Sequence, residues 1–311
     1  MATVRKSKKV EKAEAAAAIA AHLEIGQEAA TLNLKFVPNK DNLLELRTLA
    51  GQAFKNLLDT LKAVLNEANL VFTKDGLKLL AIDSKKIALV HLFIEASSFE
   101  YYHCENKVLL GVDIDLLQKI IKCNKQNDLM CFVVTSANMN QLEISFENFQ
   151  SGTRTSDTIT LLTLPEFSVK DYLKYQGAPA EMSSQLFQHI CREMATFQSS
   201  IVEIISTYDS LIFRNLDGIS KRIVSVKIQN DPSAPNPSMY QQIDNNTLKE
   251  MSGTNSILCK GVFHLKFLKS FAKAANLSPR VRIYLGNDQP ITCEYSISGL
   301  GTLKYCLGSE P

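Results

Sequence analysis

The chain lacks the marks of a membrane protein, a secreted disulfide scaffold or a motif-bearing enzyme. No run of roughly 18 apolar residues interrupts its 311 residues, so no segment is expected to span a bilayer. The N-terminus is charged and Ala-rich without an apolar h-region, so no secretory signal is expected there. Seven cysteines make an odd count, and no two stand at C-x-x-C spacing. Cys123, Cys131, Cys191, Cys293 and Cys306 sit singly in apolar runs and are expected to be reduced core thiols of an intracellular protein. There is no G-x-x-x-x-G-K-[ST] loop and no H-E-x-x-H, and the five histidines are scattered without a Ser or Cys signature beside them. Asp83-Ser84 is the nearest thing to a reactive pair, and it fits a turn between strands better. No catalytic residue, metal or cofactor is expected. The formal charge is only +2, so any electrostatic role must lie in how charge is distributed.

What is present is an internal repeat. Asp115 to Phe146 lies without a gap on Lys266 to Ile297. Leu116-Leu117 falls on Phe267-Leu268, Ile120 on Phe271, Lys122 on Lys273, and Glu143-Ile144-Ser145-Phe146 on Glu294-Tyr295-Ser296-Ile297. Each copy is opened by Gly-Val (Gly111-Val112, Gly261-Val262). A period of about 150 residues is a duplicated domain rather than a solenoid turn. With 45% hydrophobic and 21% charged residues, the composition is that of an ordinary soluble protein long enough for two cores.

Residues 1–40 read as a basic and Ala-rich extension. Its cluster Arg5, Lys6, Lys8, Lys9 and Lys12 is open to two readings, a nuclear-import or nucleic-acid-binding arm and a solubilising tail. The first domain is expected over 41–160, a connector with Pro165, Gly177 and Pro179 over 161–179, and the second domain over 180–311. Four helices are expected, at Gly51 to Asn66, Asp113 to Asn124, Ser184 to Ser199 and Leu265 to Asn276. The third turns Leu186, Phe187, Ile190, Met194 and Phe197 inward. Each helix has one apolar stripe and must pack on a sheet, which gives an α+β class with helix-then-strands twice in each half. Leu44-Glu45-Leu46 alternates as a half-buried strand, and Lys74-Asp75-Gly76 is a hairpin turn.

The solvent faces of these helices carry Lys55 and Lys62; Lys119, Lys122 and Lys125; Arg192 with His189; and Lys266, Lys269 and Lys273. Acids are few: Asp59, Glu67, Asp115 and Glu193. For one helix this means only that lysine is a good helix former on a wet face. On all four it points to a basic strip suited to a phosphate backbone, without base readout, since no aromatic platforms lie among the lysines.

From Leu44 to Leu307 the chain resembles the eukaryotic-type DNA sliding clamp family, proliferating cell nuclear antigen (PCNA). The segments that carry this are Leu65-Asn66-Glu67-Ala68, Asp75-Gly76-Leu77, Ile82 to Val90, Tyr102-His103-Cys104, Gly111-Val112, Ile121-Lys122-Cys123, Phe187 to Glu193, Glu294-Tyr295 and Gly301 to Leu307. The resemblance implies two duplicated clamp domains, and a homotrimeric ring around duplex DNA whose twelve helices line the hole. It implies DNA polymerase, a clamp loader and PIP-box proteins as partners, in the nucleus or, for a viral chain, a cytoplasmic replication compartment. Lys55, Lys62, Lys119, Lys122, Arg192 and Lys273 match basic pore positions of the family, and Lys125, Lys266 and Lys269 add charge of the same sign. The implied partner-peptide pocket is Ile82, Ile87, Leu89, Pro290 and Cys306, covered by Leu173 and Tyr175. Ring closure is expected between Thr155 to Leu162 and Arg222 to Ile228 of a neighbour.

There are departures. Cys306 replaces a bulky aromatic and Gly308 a small apolar residue. The connector is longer and more basic, and the pI is about 8.1 where the family is acidic. The chain reads Gly308-Ser309-Glu310-Pro311 where the family has an acidic tail, and no lysine stands at Tyr208-Asp209, where the family's ubiquitin-modified lysine falls. These suggest a distant clamp, with a viral source as one reading. A subunit of a heterotrimeric checkpoint-type clamp and a monomeric processivity factor are the competing readings.

Overall fold

The computed structural model describes residues 39–167, 179–207, 210–228, 257–287, 289–297 and 299–310, and the described residues from Asp41 onward form one compact unit. The 1–40 extension (but for 39–40), Leu173, Tyr175, Tyr208-Asp209 and the 231–238 loop lie outside the described residues.

Alternation of apolar residues at period two, broken by four stretches at period 3.6, produces four modules of strand, helix and three strands. The first is β1 (Asn42–Thr48), α1 (Gly51–Leu61), β2 (Glu67–Thr73), β3 (Gly76–Ile82) and β4 (Ala88–Glu95). A short β5 (Tyr101–His103) precedes the second: β6 (Val108–Asp113), α2 (Ile114–Lys122), β7 (Leu129–Thr135), β8 (Gln141–Asn148) and β9 (Thr153–Thr160). The third is β10 (Ala180–Ser183), α3 (Ser184–Thr196), β11 (Ile201–Thr207), β12 (Ser210–Asn215) and β13 (Ile223–Lys227). The fourth is β14 (Ile257–His264), α4 (Leu265–Phe271) running on as a 3-10 turn (Ala272–Asn276), then β15 (Arg280–Tyr284), β16 (Ile291–Ile297) and β17 (Gly301–Leu307). The repeat read from the sequence is the second module laid on the fourth. The two Gly-Val pairs do not quite superpose: Gly111 stands three residues before its helix, and Gly261 four.

The strands form three antiparallel sheets, ordered β5-β1-β7-β8-β9, β10-β15-β16-β17-β4-β3-β2-β6 and β13-β12-β11-β14. The eight-stranded sheet crosses from one half to the other, because β17 pairs with β4 from Gly301↔Ile94 to Leu307↔Ala88. The halves therefore share a sheet as well as a connector.

The helices hold to the sheets through their apolar stripes. On α2, Ile114, Leu117, Ile120 and Ile121 are buried at helical spacing. The Asp113 carboxylate accepts the Leu116 N–H at 3.0 Å and caps the helix, worth about 1 kcal/mol. Phe54 of α1 meets Phe99 and Phe132 with ring centroids 6.3 and 6.4 Å apart, and Phe271 of α4 stacks on Tyr305 at 4.6 Å.

Some expectations need correction. α1 ends at Leu61, where the bonds tighten to i→i−3: the Ala63 N–H goes to the Thr60 carbonyl at 3.2 Å and the Val64 N–H to the Leu61 carbonyl at 2.9 Å. Leu186, expected inward, is 38% exposed, and Phe197 lies past the end of α3 with Arg222 over its ring. Glu45 is 2% exposed despite its alternating pattern, its charge answered by Arg47 at 2.7 Å. Cys123 is exposed at the end of α2, whereas the other six cysteines are buried.

Candidate nucleic-acid interface

The helices of both halves form one layer. α1 packs on α2 and on the 3-10 turn of the fourth module, and α3 packs on that turn and on α4. Two side-chain bonds mark the seams: Asn56 Nδ2 donates to the Asn276 carbonyl at 3.3 Å, and Gln188 Nε2 to the Ala272 carbonyl at 2.9 Å. With their apolar sides on the sheets, the helices turn Lys62, Lys119, Lys122, Arg192, Lys266, Lys269 and Lys273 to solvent, with Lys55 half-buried. Lys125 is exposed too, but it lies in the turn after α2 rather than on the helix.

In the first half four of these cations have partners, and the Lys125 side chain has none among the described residues. Lys62 and Lys119 both pair with Asp115, Lys119 at 2.6 Å, and Lys122 pairs with Asp59 at 3.2 Å. Lys55 Nζ donates to the Asn124 carbonyl at 2.5 Å. Gln118 sits between the helices, donating to Asp59 and accepting from Lys62 at 3.3 Å. Hydrogen bonds from Lys119 and Lys62 hold the Asp115 carboxyl down at about 2, and the same bond raises Lys119. In the second half, among the described residues, Arg192, Lys266, Lys269 and Lys273 have no carboxylate partner; Glu193 is engaged by Arg222 at 2.7 Å and His189 at 3.5 Å.

On the opposite face of the eight-stranded sheet, Ile82, Leu89 and Cys306 fall in one row across β3, β4 and β17. The Asp83 carboxylate accepts three backbone N–H groups, from Lys85 at 3.1 Å, Ile87 at 2.7 Å and Ala88 at 2.8 Å. It thus locks the turn that carries Ile87, with Lys86 at φ 59°. The Ile87 carbonyl takes the Gly308 N–H at 3.3 Å, and Pro290 directly precedes Ile291, the cross-strand partner of Leu307. Five of the seven expected pocket residues are therefore neighbours, with Cys306 buried and holding the Thr292 hydroxyl at 3.2 Å.

Residues 43–166 match the family model "Proliferating cell nuclear antigen, N-terminal domain", and residues 171–310 match "Proliferating cell nuclear antigen, C-terminal domain". The chain belongs to the proliferating cell nuclear antigen family. Among PCNA relatives, it is 28% identical over 268 residues to a "Probable DNA polymerase sliding clamp 1" of Paramecium bursaria Chlorella virus 1, covering 86% of this chain and 97% of that one. It is 27% identical over 274 residues to "Proliferating cell nuclear antigen 2" of Drosophila melanogaster, covering 86% and 98%. The crystal structure of PCNA from Entamoeba histolytica superposes with a TM-score of 0.73 at 17% identity, covering 87% of this chain and all of that one, which speaks to the fold.

Two features of the site go beyond the expectations drawn from the sequence. The Asp115–Lys119 pair stands at i,i+4 and was visible in principle. The Lys62–Asp115 and Asp59–Lys122 links join different helices and need the packed fold to be seen. The second feature is the number of backbone groups gathered by Asp83, of which only the turn itself was expected.

Proposed function

We infer that this chain is a DNA sliding clamp, a non-enzymatic processivity factor that encircles duplex DNA and tethers DNA polymerase at the primer end. The observation that carries the reading is the single helix layer with its basic outer face, in a chain of the PCNA family. Lysines on flexible stems suit sliding, because they neutralise phosphates without reading bases. A closed ring keeps a tethered polymerase at high effective concentration.

Ring closure by β9 and β13 is supported by the state of the sheet edges. β6 is bridged at Gly111 by Leu162, and β14 is covered where the Glu310 N–H donates to Val262 at 2.8 Å. β5 and β10 are only three and four residues long. Among the described residues, β9 and β13 remain as uncovered edges, the latter beginning with exposed Ile223 and preceded by exposed Leu216 and Ile219. Each ends a different sheet, so head-to-tail pairing builds a closed ring when the rotation per subunit fits, here as a homotrimer. The row Ile82, Leu89, Cys306 with Ile87 and Pro290 would take the apolar anchors of PIP-box partners, the clamp loader among them, covered by Leu173 and Tyr175. Such a protein works where DNA is replicated, in the nucleus or a viral replication compartment.

The test is retention on DNA. Clamp loaded on nicked circular duplex should persist through gel filtration and be lost when the circle is cut. Equal loss from circular and linear DNA would end the ring reading in favour of a monomeric processivity factor.

A further inference from the structure

The two halves of the helix layer are built on one plan but differ in charge at three matching places, while Lys122 and Lys273 keep the same charge in both. In the sequence repeat, Asp115 of α2 lies on Lys266 of α4, and Gln118 on Lys269. When the starts of α1 and α3 are aligned, Phe54 lies on Phe187, Leu57 on Ile190, Leu61 on Met194, and Asp59 on Arg192. The three side chains that clasp α1 to α2 are thus replaced by three cations. The outcome is visible in the packing. Asp59, Asp115 and Gln118 bridge the first helix pair. Between α3 and α4 there is instead an open cleft of about 560 Å³, lined among the described residues by Arg192, Lys266, Lys269 and Lys273 and by no carboxylate, while His264 at its edge is paired with Glu310 at 2.8 Å. Its floor is buried Cys191; burial pushes that thiol up to about 12, and the charge of Lys269 is the influence that opposes it.

We propose that this cleft between α3 and α4 is the place where the clamp grips the DNA backbone, a phosphodiester-binding notch, and that the first pair of helices is a self-neutralised clasp contributing little to DNA affinity. The proposal rests on the helix layer being the DNA face. A phosphate approaching α1 and α2 meets Lys62, Lys119 and Lys122 already paired with two aspartates and Lys55 bonded to a carbonyl, with Lys125 in the turn beyond as the one lysine there without a partner among the described residues. At the cleft it meets four cations with no carboxylate partner among the described residues, in a concave site where their fields add. DNA held this way contacts each subunit unevenly, on its second domain.

The experiment compares paired variants of the full chain by fluorescence anisotropy on a short linear duplex across a range of salt. Lys266→Gln with Lys269→Gln should weaken binding about tenfold at low salt and flatten the salt dependence by about one to two phosphate contacts. Lys62→Gln with Lys119→Gln should cost less than about threefold. Asp115→Lys, which writes the second-half residue into the first half, should tighten binding. Far-UV circular dichroism and molar mass identify any variant that fails to fold; the gain expected of Asp115→Lys does not depend on a loss. Equal losses from the two pairs, or no gain from Asp115→Lys, would overturn the asymmetry and leave the DNA-facing layer intact. If the parent chain binds the duplex and neither pair affects it, the DNA-face reading fails and takes the notch with it.

Discussion

Asp83 contributes through geometry rather than reactivity. One carboxylate, 6% exposed, terminates the N–H groups of Lys85, Ile87 and Ala88 and so fixes the turn at the edge of the proposed peptide pocket. Removing an acceptor that serves several backbone donors leaves each of them short of a partner, at about 1–3 kcal/mol for a buried group. Asp83→Ala should therefore destabilise the fold by about 2–4 kcal/mol in urea unfolding and weaken binding of a PIP-box peptide; Asp83→Asn, which keeps an acceptor oxygen, should lose less. Unchanged stability in the alanine variant would mean that the turn holds without its carboxylate. Asp115 is the second residue whose behaviour the geometry dictates. Its folded pKa lies near 2, below the value of about 3.9 usual for an unfolded chain. The sign follows: the clasp contributes stability above about pH 4, and that contribution fades as pH falls toward 2. A carboxyl NMR titration should place Asp115 near 2 in the parent and nearer the ordinary value when Lys62 and Lys119 are both Gln. A midpoint unmoved by those substitutions would remove the lysines as its cause.

At the scale of elements, the stitch between β6 and the connector is made possible by a missing side chain. A Cβ on Gly111 would stand 2.1 Å from the Leu162 carbonyl oxygen, and the Leu162 N–H donates to the Gly111 carbonyl at 2.7 Å. Gly111→Val should break that bridge and uncover the β6 edge. Hydrogen exchange should quicken at Leu162 while β11 and β14, in another sheet, keep their protection; an unchanged Leu162 would show that the backbone shifts to accommodate the side chain. Elements of this kind also show what a sequence can and cannot display. The existence of α1 was legible from Phe54, Leu57, Leu58 and Leu61, but its end was not. The apolar stripe runs on through Val64 and Leu65, and Leu65 is buried from a turn rather than a helix. Periodicity reports which residues are covered, not the backbone that covers them. In the same way the lysines of the candidate site could be picked out one by one, whereas the pairing of Lys62 with Asp115 and of Lys122 with Asp59 depends on two helices meeting in space.

At the scale of the molecule, duplication was legible because the repeated apolar positions serve the same cores in both copies. The joining of the halves into one eight-stranded sheet was not, since the β4–β17 pairing links residues far apart in sequence and of unremarkable type. The same sheet logic governs assembly. In the proposed head-to-tail pairing of the two edges, Ile223, 64% exposed at the start of β13, would stand at the contact. Light scattering during size exclusion should give a mass near three times 34.6 kDa for the parent chain. Ile223→Glu, which costs the monomer little because the side chain is already in water, should place an unpaired charge in each of the joints and shift the mass toward 34.6 kDa. A variant that stays trimeric would move the contact away from the β13 edge. A parent chain that stays at 34.6 kDa at micromolar concentration would leave two accounts of the open edges, pairing with different subunits in a heteromeric clamp or no ring at all. Mixing with candidate partner subunits would then separate them, because only the first predicts a heavier species.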